Sequence, residues 1–104
     1  MEIFLTWIDQ DKARLYQFTQ EKMERTILQK KPDCDFMFEV SEKLRNASRI
    51  LVLGSETSML NFKNYLSVNH PNIAKNIVGC EVLIEPTDLA IAECAQRFFN
   101  REAG

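Results

Sequence analysis

The chain has 104 residues, 45% of them hydrophobic and 27% charged, with only 3 Gly and 3 Pro. That is the composition of one ordinary globular domain covering 1–104, and it argues against a disordered, collagen-like or repeat protein. A formal net charge of −2 does not favour nucleic-acid binding through bulk charge, although nine of the 13 Lys/Arg fall in residues 1–52 and leave room for a local basic patch.

Cys34, Cys80 and Cys94 are an odd number at wide spacing, and the chain has a single histidine, so no zinc framework can be written. Reduced, mostly buried thiols are the plain expectation. No cofactor motif is present. The apolar stretch at the amino end meets Asp9 before it is long enough for a signal or a membrane span, so a cytoplasmic protein without membrane contact is expected.

Ile3-Phe4-Leu5-Thr6-Trp7-Ile8 reads as a strand, apolar on both faces apart from Thr6, and it should be central in a sheet. A polar turn at 9–12 leads to a second strand over 13–19, and Thr26-Ile27-Leu28 is a third. Strands so closely joined form an antiparallel meander. Pro32 then breaks the pattern, and Asp33 or Asp35 supplies a helix cap. Phe36, Met37, Val40, Leu44 and Ala47 recur at helical spacing, with Glu39, Glu42, Lys43 and Arg45 on the solvated side.

The next stretch organises the rest. Ile50-Leu51-Val52-Leu53 is branched, apolar and without alternation, and it stops at Gly54-Ser55, as a buried parallel strand does before a capped helix. Met59, Phe62 and Leu66, with Tyr65 beside them, mark the apolar face of that helix, which ends around Asn69-His70-Pro71. A last strand covers 77–84, with Gly79 as a bulge or a close backbone approach. Thr87 caps a third helix, Asp88 sits at the positive end of its dipole, and Leu89, Ile91, Ala92, Ala95, Phe98 and Phe99 make it apolar over a wide arc. The order βββαβαβα predicts an α/β domain with a mixed five-stranded, ribonuclease H-like sheet carrying helices on its faces.

Such a sheet suits two-metal nucleases, which cluster carboxylates at the ends of the central strands. Asp9 ends the first strand as that chemistry needs, but the organising strand ends in Leu53-Gly54-Ser55, so Glu56 or Glu39 would have to substitute. No metal site is expected. His70 beside Pro71 has no nucleophile or orienting partner in view, and Gly54-Ser55-Glu56-Thr57 lacks the lysine and repeated glycines of a phosphate loop. Phe36, Phe62, Phe98 and Phe99 fall at core spacing, while Trp7 and Tyr16 stay open between core and surface roles.

Taken together, several blocks resemble a known family. They are Trp7-Ile8-Asp9 with Ala13-Arg14-Leu15-Tyr16, then Ile50-Leu51-Val52-Leu53-Gly54 with Phe62-Lys63-Asn64-Tyr65-Leu66, then His70-Pro71 with Ile77-Val78-Gly79, and Pro86-Thr87-Asp88 ending in Arg97-Phe98-Phe99. The pattern is similar to bacterial translational machinery proteins, and through them to the middle domain of archaeal and eukaryotic class 1 peptide-chain release factors and of Pelota-type ribosome-rescue factors. The family-motif positions are Trp7, Asp9, Gly54, Lys63, His70, Pro71, Thr87 and Asp88. In the release factors the loop between strand three and helix one carries the Gly-Gly-Gln motif that helps water attack peptidyl-tRNA. Here that loop is Gln29-Lys30-Lys31-Pro32-Asp33, no Gly-Gly pair occurs anywhere, and Asp88 is followed by Leu89-Ala90 in place of the bacterial Gly-Gln. The resemblance therefore implies a non-catalytic, Pelota-like module of the ribosome or its RNA, with Lys30, Lys31, Lys43, Arg45 and Arg14 as candidate phosphate contacts. The alternative is a small protein-interaction domain, binding another protein or a second copy of itself, that touches no RNA.

Overall fold

Two runs of branched and aromatic residues in this sequence have no polar face to offer solvent, and the fold covers both runs on both sides. β1 (Ile3–Ile8) and β4 (Arg49–Gly54) pair in parallel in the interior of the sheet, in register from Ile3 opposite Arg49 to Ile8 opposite Gly54. β2 (Lys12–Phe18) and β3 (Met23–Gln29) continue antiparallel on one side, and β5 (Ile77–Val82) pairs in parallel with β4 on the other. The strand order is β3-β2-β1-β4-β5, the expected mixed five-stranded sheet with a ribonuclease H-like layout. These elements come from a computed structural model that describes residues 3–18, 23–32, 35–84 and 87–103, with 99–103 by backbone alone.

Alternation along the strands decides which helix each side chain meets. Phe4, Ile8, Leu15, Ile50 and Val52 face α1 (Phe36–Lys43) and α2 (Glu56–Asn69), where Phe36, Val40, Phe62 and Leu66 complete one core. Leu5, Trp7, Tyr16, Leu51 and Leu53 face α4 (Asp88–Ala103), packing on Ile91, Cys94 and Ala95. The core assignment of Phe36, Phe62 and Phe98 holds, and Trp7 and Tyr16 join the core as well, whereas the Phe99 side chain lies outside the described residues.

α1, α2 and α4 each start on a side-chain cap. Asp35 accepts from the Phe38 amide at 3.2 Å, Ser55 from the Ser58 amide at 3.2 Å, and Thr87 from the Ala90 amide at 3.1 Å. Asp35 is thus the cap of α1, while Asp33 and Cys34 lie outside the described residues.

Several boundaries differ from those the sequence predicts. β3 begins at Met23, because ladder pairing with β2 holds Met23-Glu24-Arg25 extended although nothing in their polarity marks a strand. α1 stops at Lys43, and a turn in which the Ala47 amide donates to the Leu44 carbonyl keeps Leu44 and Ala47 buried without helix. A short helix, α3 (Pro71–Ala74), follows α2, since the fixed φ of Pro71 suits a first helical turn that does not need its amide. β5 ends at Val82, where the Leu83 amide turns to the Gly54 carbonyl and the Leu83 carbonyl accepts from the Trp7 indole at 2.6 Å.

Two glycines allow these close approaches. Gly54 has φ 144°, and a Cβ there would run into the Ile8 carbonyl of the neighbouring strand. At Gly79 both expected readings hold at once. The ladder passes from Ile50 opposite Ile77 to Leu51 opposite Gly79, skipping Val78, and a Cβ on Gly79 would lie 2.5 Å from the Phe98 ring.

Thr6 is the exception in β1, with its hydroxyl buried and lacking a hydrogen-bond partner among the described residues. Such a group is costly, and valine has nearly the same shape without it. Thr6→Val is therefore expected to stabilise the domain by about 1 kcal/mol, read as a higher midpoint in thermal or urea unfolding. An unchanged or lower midpoint would show that the hydroxyl is satisfied in solution.

Candidate functional site

The basic residues singled out in the sequence fall in three separate places. Lys30 and Lys31 stand side by side and exposed in the loop after β3, anchored by a 2.8 Å hydrogen bond from the Lys30 amide to the Asp11 carbonyl. Lys43 ends α1 and Arg45 lies in the turn beyond it, at the far end of a helix about 12 Å long. Arg45 is 67% exposed and holds Glu42 at 3.2 Å. Arg14 is on the α4 side of β2, three-quarters buried, with Asp88 at 3.8 Å, so its charge is already partnered.

Arg45 opens onto a polar groove of about 480 Å³ between the end of α1 and the α2–α3 junction, lined also by Glu42, Asn69, His70, Pro71 and Asn72. His70 builds this junction. Its amide donates to the Leu66 carbonyl at 2.7 Å to close α2, and its own carbonyl accepts from Ile73 and Ala74 to open α3. The imidazole packs between Phe38 and Tyr65, with ring centroids 6.1 and 5.6 Å away. Here a candidate phosphate contact, Arg45, meets the family-motif positions His70 and Pro71, and the amides of Asn69 and Asn72 add hydrogen-bonding capacity for a sugar or phosphate.

Lys63, another motif position, lines a second groove of about 490 Å³ along the first turns of α2, together with Glu56, Thr57, Met59, Leu60 and Cys80. Cys80 is exposed, which corrects the expectation of buried thiols for this residue, whereas Cys94 is buried. Cys80 is on β5, an edge strand, opposite Val52, and it opens onto this groove beside α2. Partial burial of its sulfur raises the thiol pKa, and Lys63 only partly opposes that, so the group is a thiol at neutral pH.

The remaining motif positions are structural in their contacts. Asp9 lies exposed past the end of β1 and accepts from the Gln10 amide at 2.6 Å. Among the described residues no three His, Cys, Asp or Glu side chains gather closely enough to hold a metal ion. Asp88, at the start of α4, reaches across the sheet to two antiparallel strands. The buried Tyr16 hydroxyl donates to it at 2.7 Å, Arg25 of β3 forms a hydrogen-bonded ion pair with it, and Arg14 completes the set. Asp88 was legible as a dipole partner and Tyr16 as an aromatic of open role, but Arg25 was not visible at all, because its strand has no periodicity of its own.

No protein-family model matches the sequence, and no curated protein matches it. Solved structures do. Pelota from Archaeoglobus fulgidus superposes with a TM-score of 0.79 at 21% identity, over 92% of this chain and 31% of that one. The fold is that of a Pelota domain. Pelota from Thermoplasma acidophilum gives a TM-score of 0.69 at 15% identity over 89% of this chain, and a further archaeal protein gives 0.61 at 15% over 88%. The chain spans about a third of the length of each. These structures bear out the Pelota and release-factor side of the resemblance and do not bear on its bacterial side.

The Asp88 cluster sets a pH dependence. The Tyr16 hydroxyl first, and Arg25 next, hold the Asp88 carboxyl below its ordinary value of 3.8, while burial and the Asp88 charge push Tyr16 above 10.0. A carboxyl whose folded pKa is depressed stabilises fully above its unfolded value and loses that contribution as pH falls through the folded one. Asp88→Asn should therefore melt below the parent at pH 7, and the gap should close as pH drops below about 3.8. A gap of constant size across that range would mean that Asp88 acts only as a neutral hydrogen-bond acceptor.

Proposed function

We propose that this domain is a translation-associated module that meets ribosomal RNA through phosphate contacts and has no catalytic role. The observation that carries the reading is the Pelota fold, which covers 92% of the chain at a TM-score of 0.79. The sequence resemblance, which implies a module of the ribosome, points the same way. Lys30 and Lys31 support the RNA part. They are exposed in the loop between β3 and α1, where the resembling release factors project toward ribosomal RNA, and with no ion pair among the described residues an ammonium there has no reason to leave solvent until a phosphate arrives. Arg45 in the polar groove, two-thirds exposed although it holds Glu42, is a second candidate contact. Arg14, tied to Asp88, contributes shape and not a free charge.

The non-catalytic part rests on residue chemistry. Without a Gly-Gly-Gln loop the chain has no backbone device for placing water on peptidyl-tRNA, and the carboxyl end of β4 offers Gly54 and Ser55 where a two-metal nuclease would place an acid. Among the described residues no helix is long and apolar enough to cross a membrane, and a ribosomal partner would place the protein in the cytoplasm.

Co-sedimentation with ribosomes at low and moderate salt tests the binding. Changing Lys30 and Lys31 together to Glu should weaken association and reduce the slope of log affinity against log salt by roughly 2, about one per lost phosphate contact, with little change in melting temperature. An undiminished association in the double variant removes this loop from the interface, and no association of the parent even at low salt removes the ribosomal reading. The purified domain is also expected to cleave neither peptidyl-tRNA nor, with Mg²⁺, RNA. Activity that follows the protein through purification and vanishes in Asp9→Asn would overturn the non-catalytic assignment.

A further inference from the structure

The strand at the outer side of the meander is left open. β3 is at the end of the sheet order, and Met23, Glu24, Arg25, Thr26 and Ile27 are all exposed, so both of its faces as well as its rim meet solvent. The Lys30 amide donates to the Asp11 carbonyl, which sets the phase of the ladder. Even-numbered residues of β3 turn their backbone groups to β2, and Met23, Arg25, Ile27 and Gln29 turn theirs outward. Edge strands of this kind are ordinarily blunted by a bulge, a proline or a projecting lysine. Within Met23–Gln29 β3 has none of these, and the lysine that follows at its end, Lys30, has a carboxylate to meet in the pairing below. Its pairing with β2 is continuous, it contains no Pro or Lys, and its cation, Arg25, is drawn over to Asp88. Met23 and Ile27 stay 43% and 45% exposed on either side of that pair.

We infer that β3 is a self-pairing edge, through which two copies of the chain join antiparallel about a two-fold axis at Ile27 into one continuous sheet. Charge selects this register. With the axis at Ile27, the two Ile27 side chains face each other, Thr26 faces Leu28, Arg25 faces Gln29, and Glu24 of each copy faces Lys30 of the other. An axis at Arg25 would oppose two arginines, one at Leu28 would set Arg25 against Lys31, and one at Thr26 would oppose no unlike charges among the described residues. The odd residues that meet in the chosen register are those whose amides and carbonyls already point outward, so the ladder extends without a change of backbone. An isologous pairing also closes on itself, leaving no free β3 edge to propagate.

Sedimentation velocity on the purified protein, with no ribosome present, tests this independently of the RNA reading. The parent should show a concentration-dependent monomer–dimer equilibrium, and amide exchange at Arg25, Ile27 and Gln29 should slow as the dimer fills. Lys30→Glu, which sets like charges opposite each other twice, should weaken the dimer roughly tenfold while the monomer melts as before, and adding Glu24→Lys should restore it. A parent that stays monomeric at the highest soluble concentration overturns the proposal. So do open-ended oligomers, a dimer indifferent to Lys30→Glu, or a charge swap that fails to restore pairing in a folded protein.

Discussion

The parallel pairing of β1 with β4 is the constraint on which everything else hangs. Both strands are apolar on both faces, so burying them requires helices above and below, and a parallel pair requires a crossover between its members. The meander and α1 form that crossover, which puts β2 and β3 on one flank of β1 and leaves the other flank for β4 and β5. Even the end of the pair is specific. Gly54 has to be glycine because the strand closes against the Ile8 carbonyl, and the chain leaves the sheet there into the Ser55 cap of α2.

A second tie holds the far layer. α4 is the only helix described on its side of the sheet, and it is secured at its start by Asp88, which gathers Tyr16, Arg14 and Arg25 from two strands that precede it by more than 60 residues. The indole of Trp7 takes hold of the same segment at Leu83. Thr87-Asp88 is thus less a site for a ligand than the clasp that closes the domain. The residues left free to meet a partner are elsewhere: the lysines after β3, the groove around Arg45 and His70, and the open edge of β3.

The sequence was most legible where one physical demand dominates locally. The apolar runs at Ile3–Ile8 and Ile50 to Leu53 announce buried strands, and Ser55, Thr87 and one or other of Asp33 and Asp35 announce helix starts because orphan amides need an acceptor nearby. It was least legible where the partner lies far along the chain. Nothing about Arg25 marks it as the counter-ion of Asp88, and nothing about Cys80 says that its strand is an edge. The candidate groove is of the same kind, because Arg45 and His70 follow the ends of separate helices, α1 and α2, that meet only when both pack on one face of the sheet.

By itself, then, the sequence determined the class of fold, the central pair of strands and the positions of the caps, since periodicity and capping act within a few residues and are written in consecutive letters. Tertiary structure decided how far β3 and β5 extend, where α1 stops, that α3 exists, and which charges are neutralised and which stay open to a partner. Those outcomes depend on hydrogen bonds and Coulomb interactions between residues brought together only by the closing of the sheet, and their strength is set by burial that no local stretch of sequence records.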